Sequence, residues 1–400
     1  MSLEALVGLD PAERRCPYHT YAQLREAGVR YAPELDAYVV SRYEDVVRVL
    51  RDHGTFSSVG ALGRPPRDPD ASGPNDSPLL LLSDQPDHAR FRAIVNRAFT
   101  PARVRAWEPA IRQLCDDLID GFVDEEHVEF VAAFSGTLPI AVITNVLGVP
   151  RSEAATFRRY SEQLTSSLGS RAEGENAPAA IAREFSGHIH PLVDAAVGVE
   201  SEHILPVIAE AREAGVLTAE ESTRFVMELI IAGNITTAHH LTSSVMQLAR
   251  APEVADRLRR DPAGIPAFIE ESLRTESPIQ AFYRLAREDA EVGGVTVPAG
   301  QRVFVIYGSG NRDPDLWDDA DAFDLERDRP QRHLAFGKGI HTCLGAPLAR
   351  AEGRIAIEQL LARLPDFAID GADDDLPWLE SFVNHGPTQL PLKLGSVRDR

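Results

Sequence analysis

Phe336-Gly337-Lys338-Gly339-Ile340-His341-Thr342-Cys343-Leu344-Gly345 is the stretch on which the reading of this chain turns. Three glycines in so short a span permit positive φ angles and close backbone approach. Leu348, Ile355, Leu360 and Leu361 then mark an amphipathic helix that starts just after the sulfur. Cys343 is therefore expected at a helix N-terminus, where free N–H groups and the positive dipole end stabilise a thiolate and make it a good metal ligand. Cys16 and Cys115 lack such surroundings and read as small buried apolar residues. A zinc site on Cys343 would draw on His333 and His341, but no C-x-x-C partner exists and the spacing fits no common zinc frame. The competing metal is a heme iron, whose axial thiolate supplies electron density that favours O–O cleavage.

Upstream of that stretch, the most strongly marked helix begins at Thr218, where Thr218 and Glu221 form a T-x-x-E capping box ahead of an apolar run ending near Arg250. In its middle, Ala232-Gly233-Asn234-Ile235-Thr236-Thr237 lowers helix propensity where Ala or Leu could have stood. Either a neighbouring helix packs closely there, or something flat and bulky passes over the Ala232 and Gly233 surface, with Thr236 on the same face as Ala232. Further helices are predicted over Tyr18 to Glu26, Tyr43 to Arg51, Asp87 to Phe99, Ala102 to Val123, Ile181 to Val197 and Leu205 to Glu213, from apolar residues three and four apart. Strand signals are confined to Tyr31 to Ser41 and to Glu291 to Ile306, where β-rich runs flank Gly293 and Gly294. Ser57 to Pro78, dense in Gly, Pro, Asp and Ser, reads as one long loop. Phe130 to Pro150 carries no charge over roughly the length of a bilayer span, yet its Ser, Thr, Asn, Gly and Pro residues favour a buried helix pair or turn.

A net charge of −20 argues against broad contact with a nucleic-acid backbone. With 44% hydrophobic and 26% charged residues, the composition is that of a globular chain and not a disordered one. Three widely spaced cysteines give no disulfide framework, so a reducing cytoplasm is the expected location. The start, MSLEALVGLD, has neither a basic region nor an apolar run, so neither a secretory signal nor a membrane anchor is expected.

The pattern F-x-x-G-x-x-x-C-x-G, carried by Phe336, Gly339, Cys343 and Gly345, resembles the heme-thiolate loop of the cytochromes P450, and the resemblance extends over nearly the whole chain. Glu271-Ser272-Leu273-Arg274 is similar to the family's E-x-x-R motif, and Arg327 stands where the family supplies the third member of a buried Glu-Arg-Arg set that braces the heme loop. The resemblance implies a mainly α fold with a small β subregion, the cytochrome P450 fold, as a single heme-thiolate monooxygenase domain over residues 1–400 with no fused reductase. It implies heme b, iron protoporphyrin IX, bound through Cys343, with Phe336, Gly337 and Gly345 in the surrounding loop. A buried macrocycle with two propionates needs positive or donor groups at its edge. His88 and Arg92 match the family's H-x-x-x-R pair, and Arg284 and His333 match two further propionate partners. Ala232, Gly233 and Thr236 match the catalytic motif of the long helix, but Ile235 replaces the usual acid that delivers protons to dioxygen. Isoleucine relays no proton, whereas hydrogen peroxide already brings both. Asn234, one position away, points off by about 100° on a helix.

The same resemblance places Ser57, Leu80, Leu81, Ile231, Ile279, Phe282 and Phe382 in the substrate pocket, a mostly apolar lining that suits a small hydrophobic molecule. Phe56-Ser57-Ser58, Ser277 to Arg284 and Gly308 to Pro314 look like the branch that oxidises para-substituted benzoates. That branch has a basic residue after the two serines, where this chain has Val59, so hydroxylation or O-demethylation of a neutral methoxyphenol is expected over attack on an aromatic acid. A terpenoid or polyketide is the alternative substrate, and a heme-thiolate ligand sensor without turnover is the alternative from another class. Lys338, Arg350, Arg354 and Arg112 gather around the expected thiolate face, where an acidic ferredoxin or flavodoxin, served by its reductase, would dock by complementary charge.

Overall fold

The structure, a computed structural model, describes residues 3–61, 80–96, 98–166, 177–364 and 366–395; Leu79 and residues 62–78 of the long loop lie outside them. The helices of the N-terminal half are α1 (Leu3–Val7), α2 (Pro11–Arg15), α3 (Tyr18–Ala27), α4 (Tyr43–Arg51), α5 (Asp87–Asn96), α6 (Pro101–Asp120), α7 (Leu138–Leu147), α8 (Ala154–Ser166) and α9 (Ala177–Ala195). They are followed by α10 (Ile204–Glu213), α11 (Ala219–Arg250), α12 (Pro252–Arg260), α13 (Ile265–Thr275), α14 (Tyr307–Gly310) and α15 (Ala346–Arg363). The strands are β1 (Arg30–Ala32), β2 (Ala37–Val40), β3 (Phe56–Ser57), β4 (His127–Glu129), β5 (Ala281–Ala286), β6 (Ala290–Val292), β7 (Val295–Val297), β8 (Arg302–Ile306), β9 (Phe367–Ile369) and β10 (Pro391–Leu394).

The long helix α11 is the axis of the helical part. Its capping box is formed: the Glu221 N–H donates to Thr218 Oγ1 at 3.1 Å and the Thr218 N–H donates to Glu221 Oε2 at 2.7 Å. The helix runs unbroken through Gly233, because that glycine answers a packing demand: a Cβ there would stand 3.1 Å from Cγ1 of Ile143 on α7. Asn234 turns to α8, where its Nδ2 donates to Ser161 Oγ at 3.1 Å. The uncharged stretch from Phe130 becomes a π-type turn (Val131–Ser135) and α7, which ends at Gly148 with φ +86°. Among the described residues no helix is long and apolar enough to cross a membrane.

Five strands form one sheet in the order β1-β2-β8-β5-β3, parallel between β2 and β8 and otherwise antiparallel. The two β-rich runs around Gly293 and Gly294 pair as the hairpin β6-β7, with φ of +56° and +78° at the two glycines. A third sheet, β4-β10-β9, joins segments far apart in sequence. Its strands have three or four residues, too few for a period-two pattern to stand out. The result is a mainly α protein whose small sheets flank the helices.

Candidate active site

The loop before α15 is built around its glycines. Gly339 has φ +76°, and a Cβ there would lie 2.3 Å from the Leu50 carbonyl oxygen, so only glycine fits. The Cys343 N–H donates to Phe336 O at 2.8 Å, which closes the loop, and Gly345 occupies the N-cap position of α15. Burial pushes the Cys343 thiol up, opposed by the N–H of Gly345, the Arg92 guanidinium, the N–H of Ala346 and Arg350. The protein packed around Cys343 desolvates its thiol, yet the residue keeps exposed surface of its own, as does Ala232 in the middle of α11. Half-buried Ile231, Ile235 and Thr236 flank Ala232 on the helix, while Gly233 turns toward Ile143. The Thr236 hydroxyl donates to Ala232 O at 2.8 Å.

Behind the loop, Glu271, Arg274 and Arg327 come together. Arg274 Nε and Nη2 grip the two Glu271 oxygens at 2.8 and 2.7 Å, while Arg327 Nε reaches Glu271 Oε1 at 2.9 Å. Neither the Glu271 nor the Arg274 side chain is exposed at all. Their remaining donors are used as well: Arg274 bonds the carbonyls of Asn311, Ala320 and Ala322, and Arg327 those of Asp318, Asp319 and Ala322. Burial alone would raise the Glu271 carboxyl, but Arg274 holds it below the usual carboxylate range, with help from the Asp324 N–H and Arg327.

At the edge of the site, four basic groups converge. The rings of His88 on α5 and His341 lie 4.3 Å apart at 61°. Burial, then Arg284 and His88, lower His341 to about 3, while burial, then Arg92, lower His88. Both ring nitrogens of His88 are buried without a hydrogen-bond partner among the described residues. Two guanidiniums and two imidazoles drawn together, one imidazole wholly unsatisfied, make a donor set that fits a dianionic edge such as two propionates. His341 is thus a site residue that the sequence reading left in the zinc alternative. Its signal was its place two residues before Cys343, where the loop that aims the sulfur also aims the imidazole.

Two expected positions are corrected. His333 does not join that cluster: it is buried with Nε2 3.4 Å from Glu270 Oε2, and Glu270 is itself held by Arg350 at 2.5 and 2.9 Å. Ser57 does not face a pocket. It is 2% exposed and its hydroxyl donates to Asp84, whose other oxygen accepts the Ser58 N–H at 2.9 Å, while Ser58 Oγ pairs with His341 Nε2 at 2.9 Å. Ser58 therefore orients the His341 imidazole, which would face a propionate. Ile279 and Phe382 are brought together by the bridge between Ile279 and Asn384 and by the Gln280 N–H to Val383 O bond of 2.7 Å. Phe282 packs edge-on against Tyr307, and Phe382 against Phe304.

A sequence model of the cytochrome P450 family matches residues 265–386. Cytochrome P450 107B1 of Saccharopolyspora erythraea is 35% identical over 98% of each chain. The 6-deoxyerythronolide B hydroxylase of the same organism is 32% identical over 94% of this chain and 96% of its own length. Among solved structures, CYP109E1 of Bacillus megaterium in complex with testosterone superposes with a TM-score of 0.87 at 31% identity, covering 96% of this chain and 99% of that one. Joined to a thiolate loop, a buried Glu-Arg-Arg set and a basic edge, these likenesses show that the chain belongs to the cytochrome P450 family. It is a heme b monooxygenase of the kind found in bacteria.

When bound, the heme supplies oxygen activation that no side chain can carry. Cys343 would hold its iron, and His88, Arg92, Arg284 and His341 its propionates. A hydrogen bond to a charged group contributes about 1.5–3 kcal/mol. His341→Leu is therefore expected to speed heme transfer to apomyoglobin by about tenfold or more, whereas His333→Leu, at a ring that stands beside Glu270 and not beside His88, is expected to leave that rate within about twofold. Equal acceleration by the two variants would contradict the assignment of the edge.

Proposed function

We propose that this monooxygenase hydroxylates or O-demethylates a neutral hydrophobic substrate, and that hydrogen peroxide serves it better than electrons from a reductase. The substrate reading rests on the wall that Leu80, Leu81, Ile231, Ile235, Ile279, Phe282 and Phe382 would present, which is apolar throughout. A small methoxylated aromatic suits that wall. A larger polycyclic or macrolide-like molecule is the second reading, favoured by the substrate in the name of the 6-deoxyerythronolide B hydroxylase and by the testosterone bound to CYP109E1. It gains weight because Ser57, part of the likeness to the benzoate branch, is occupied by Asp84. Spectral titration of the ferric protein with methoxyphenols, steroids and macrolide aglycones decides: a shift with the phenols alone supports the aromatic reading, and a shift with the larger molecules alone supports the second.

The peroxide reading is carried by Ile235. Reductive use of dioxygen requires two protons at the distal face, normally passed along by a positioned acid. Here the side chain beside Thr236 is aliphatic, and the Thr236 hydroxyl is already directed at its own helix carbonyl. Ile235→Glu is expected to raise the fraction of NAD(P)H electrons recovered in product with a ferredoxin and its reductase, and to leave the peroxide-driven rate unchanged or lower. Tight coupling in the parent, with no turnover on peroxide, would overturn this reading.

An acidic ferredoxin or flavodoxin remains the proposed electron donor, docking on the thiolate face. Three of the four basic residues expected there are already paired: Arg112 with Glu358 at 2.8 Å, Arg354 with Glu108 at 2.7 Å, and Arg350 with Glu270. The attraction available to a partner is accordingly reduced, and Lys338 is the residue through which it would chiefly act.

A further inference from the structure

Glu228 lies one helical turn before Ala232 and two before Thr236 on α11, so the three share a face. Its two carboxylate oxygens divide their work: Oε2 accepts the Leu80 N–H and Oε1 the Leu81 N–H, each at 2.8 Å. Burial, partly offset by these two N–H groups, raises the Glu228 carboxyl to about 7, and the two bonds fix main chain directly, whatever the side chains do. Two turns earlier on α11, Glu221 accepts from Arg90 of α5 at 2.8 Å. Two carboxylates seven residues apart therefore hold successive parts of the segment that runs from Leu80 through α5. One end of that segment carries Leu80, Leu81 and Leu82, and the other carries His88 and Arg92 of the heme edge.

We infer that Glu228 is a positioning residue for substrate selection: by tying the backbone of Leu80 and Leu81 to α11 one turn before Ala232, it sets how far the leucine wall stands from the Ala232–Thr236 face. The size of the group admitted between wall and helix is then a property of this clamp as well as of the side chains that line the pocket. The inference rests on the heme site and is independent of which substrate is native.

The test uses the ferric holoenzyme and two probes that ligate iron through the same type of nitrogen. Imidazole is the smaller probe, and 4-phenylimidazole adds a ring that reaches further from the iron toward the leucine wall. Glu228→Ala is expected to weaken 4-phenylimidazole by about tenfold, the equivalent of about 1.4 kcal/mol, while imidazole stays within about twofold. Glu228→Gln, whose single amide oxygen can accept one of the two N–H groups, is expected to recover part of the loss, and amide exchange at Leu80 and Leu81 should rank the proteins in the same order. Equal changes for both probes, or no change for either, would overturn the inference. Should the alanine variant fail to retain heme, the glutamine variant decides by the same criterion, with a selective loss of about threefold in its favour.

Discussion

Glu271→Ala is expected to cost about 3–5 kcal/mol and to leave a chain that melts early and retains heme poorly. The carboxylate sits at the centre of the brace: two bonds come from Arg274, one from Arg327 and one from the Asp324 N–H. Deleting it leaves the Arg274 guanidinium, which is wholly buried, without its carboxylate partner in a place it cannot leave, since Nη1 holds the carbonyls of Asn311 and Ala320 and Nη2 that of Ala322. A loss of that size is a large fraction of the about 5–15 kcal/mol by which proteins are ordinarily stable. The same geometry fixes the sign of a pH effect. Because the folded Glu271 pKa lies below its unfolded value, the stabilisation is present above the ordinary carboxylate range and is lost as pH falls through the lowered folded value. Denaturant unfolding of the parent and of Glu271→Ala tests this, and superimposable curves would show that the brace does not carry the fold.

The long helix, the capping box at Thr218, the Gly293-Gly294 hairpin and the thiolate loop were all legible in the sequence, because each is specified by neighbours within a turn or two. What escaped was set by contacts across the chain. The sheet β4-β10-β9 joins residue 127 to residue 393, and no local pattern marks it. Asp84 captures Ser57 and Ser58 from a different segment, and this takes the expected pocket residue Ser57 out of reach of a substrate and sets Ser58 against His341. His333 and His341 are separated by only eight positions and either could serve an anionic edge; the difference lies in Glu270, 3.4 Å from the one, and His88, against which the other packs. Gly233 could have made room for a flat ligand or for a helix, and Ile143 fills the space. The role of Glu228 has no local signature at all, since its partners are backbone amides nearly 150 residues away.

Cys343→Ser is expected to abolish monooxygenase activity while leaving the fold in place. Serine is close to cysteine in size, and the bonds that shape the loop, from the Cys343 N–H to Phe336 O and from the Ala349 N–H to Gly345 O, are main-chain bonds that the change does not touch. What is lost is the thiolate: a serine hydroxyl is a far weaker acid than a thiol, and the N–H groups of Gly345 and Ala346 that favour a charged sulfur would face a neutral oxygen. The electron density that an axial thiolate contributes to O–O cleavage goes with it. The most direct measurement is the absorption spectrum of the reduced protein under carbon monoxide, recorded for the parent and for Cys343→Ser. A thiolate-type band in the parent and its absence in the variant is the predicted result; the same band in both would show that Cys343 is not the iron ligand.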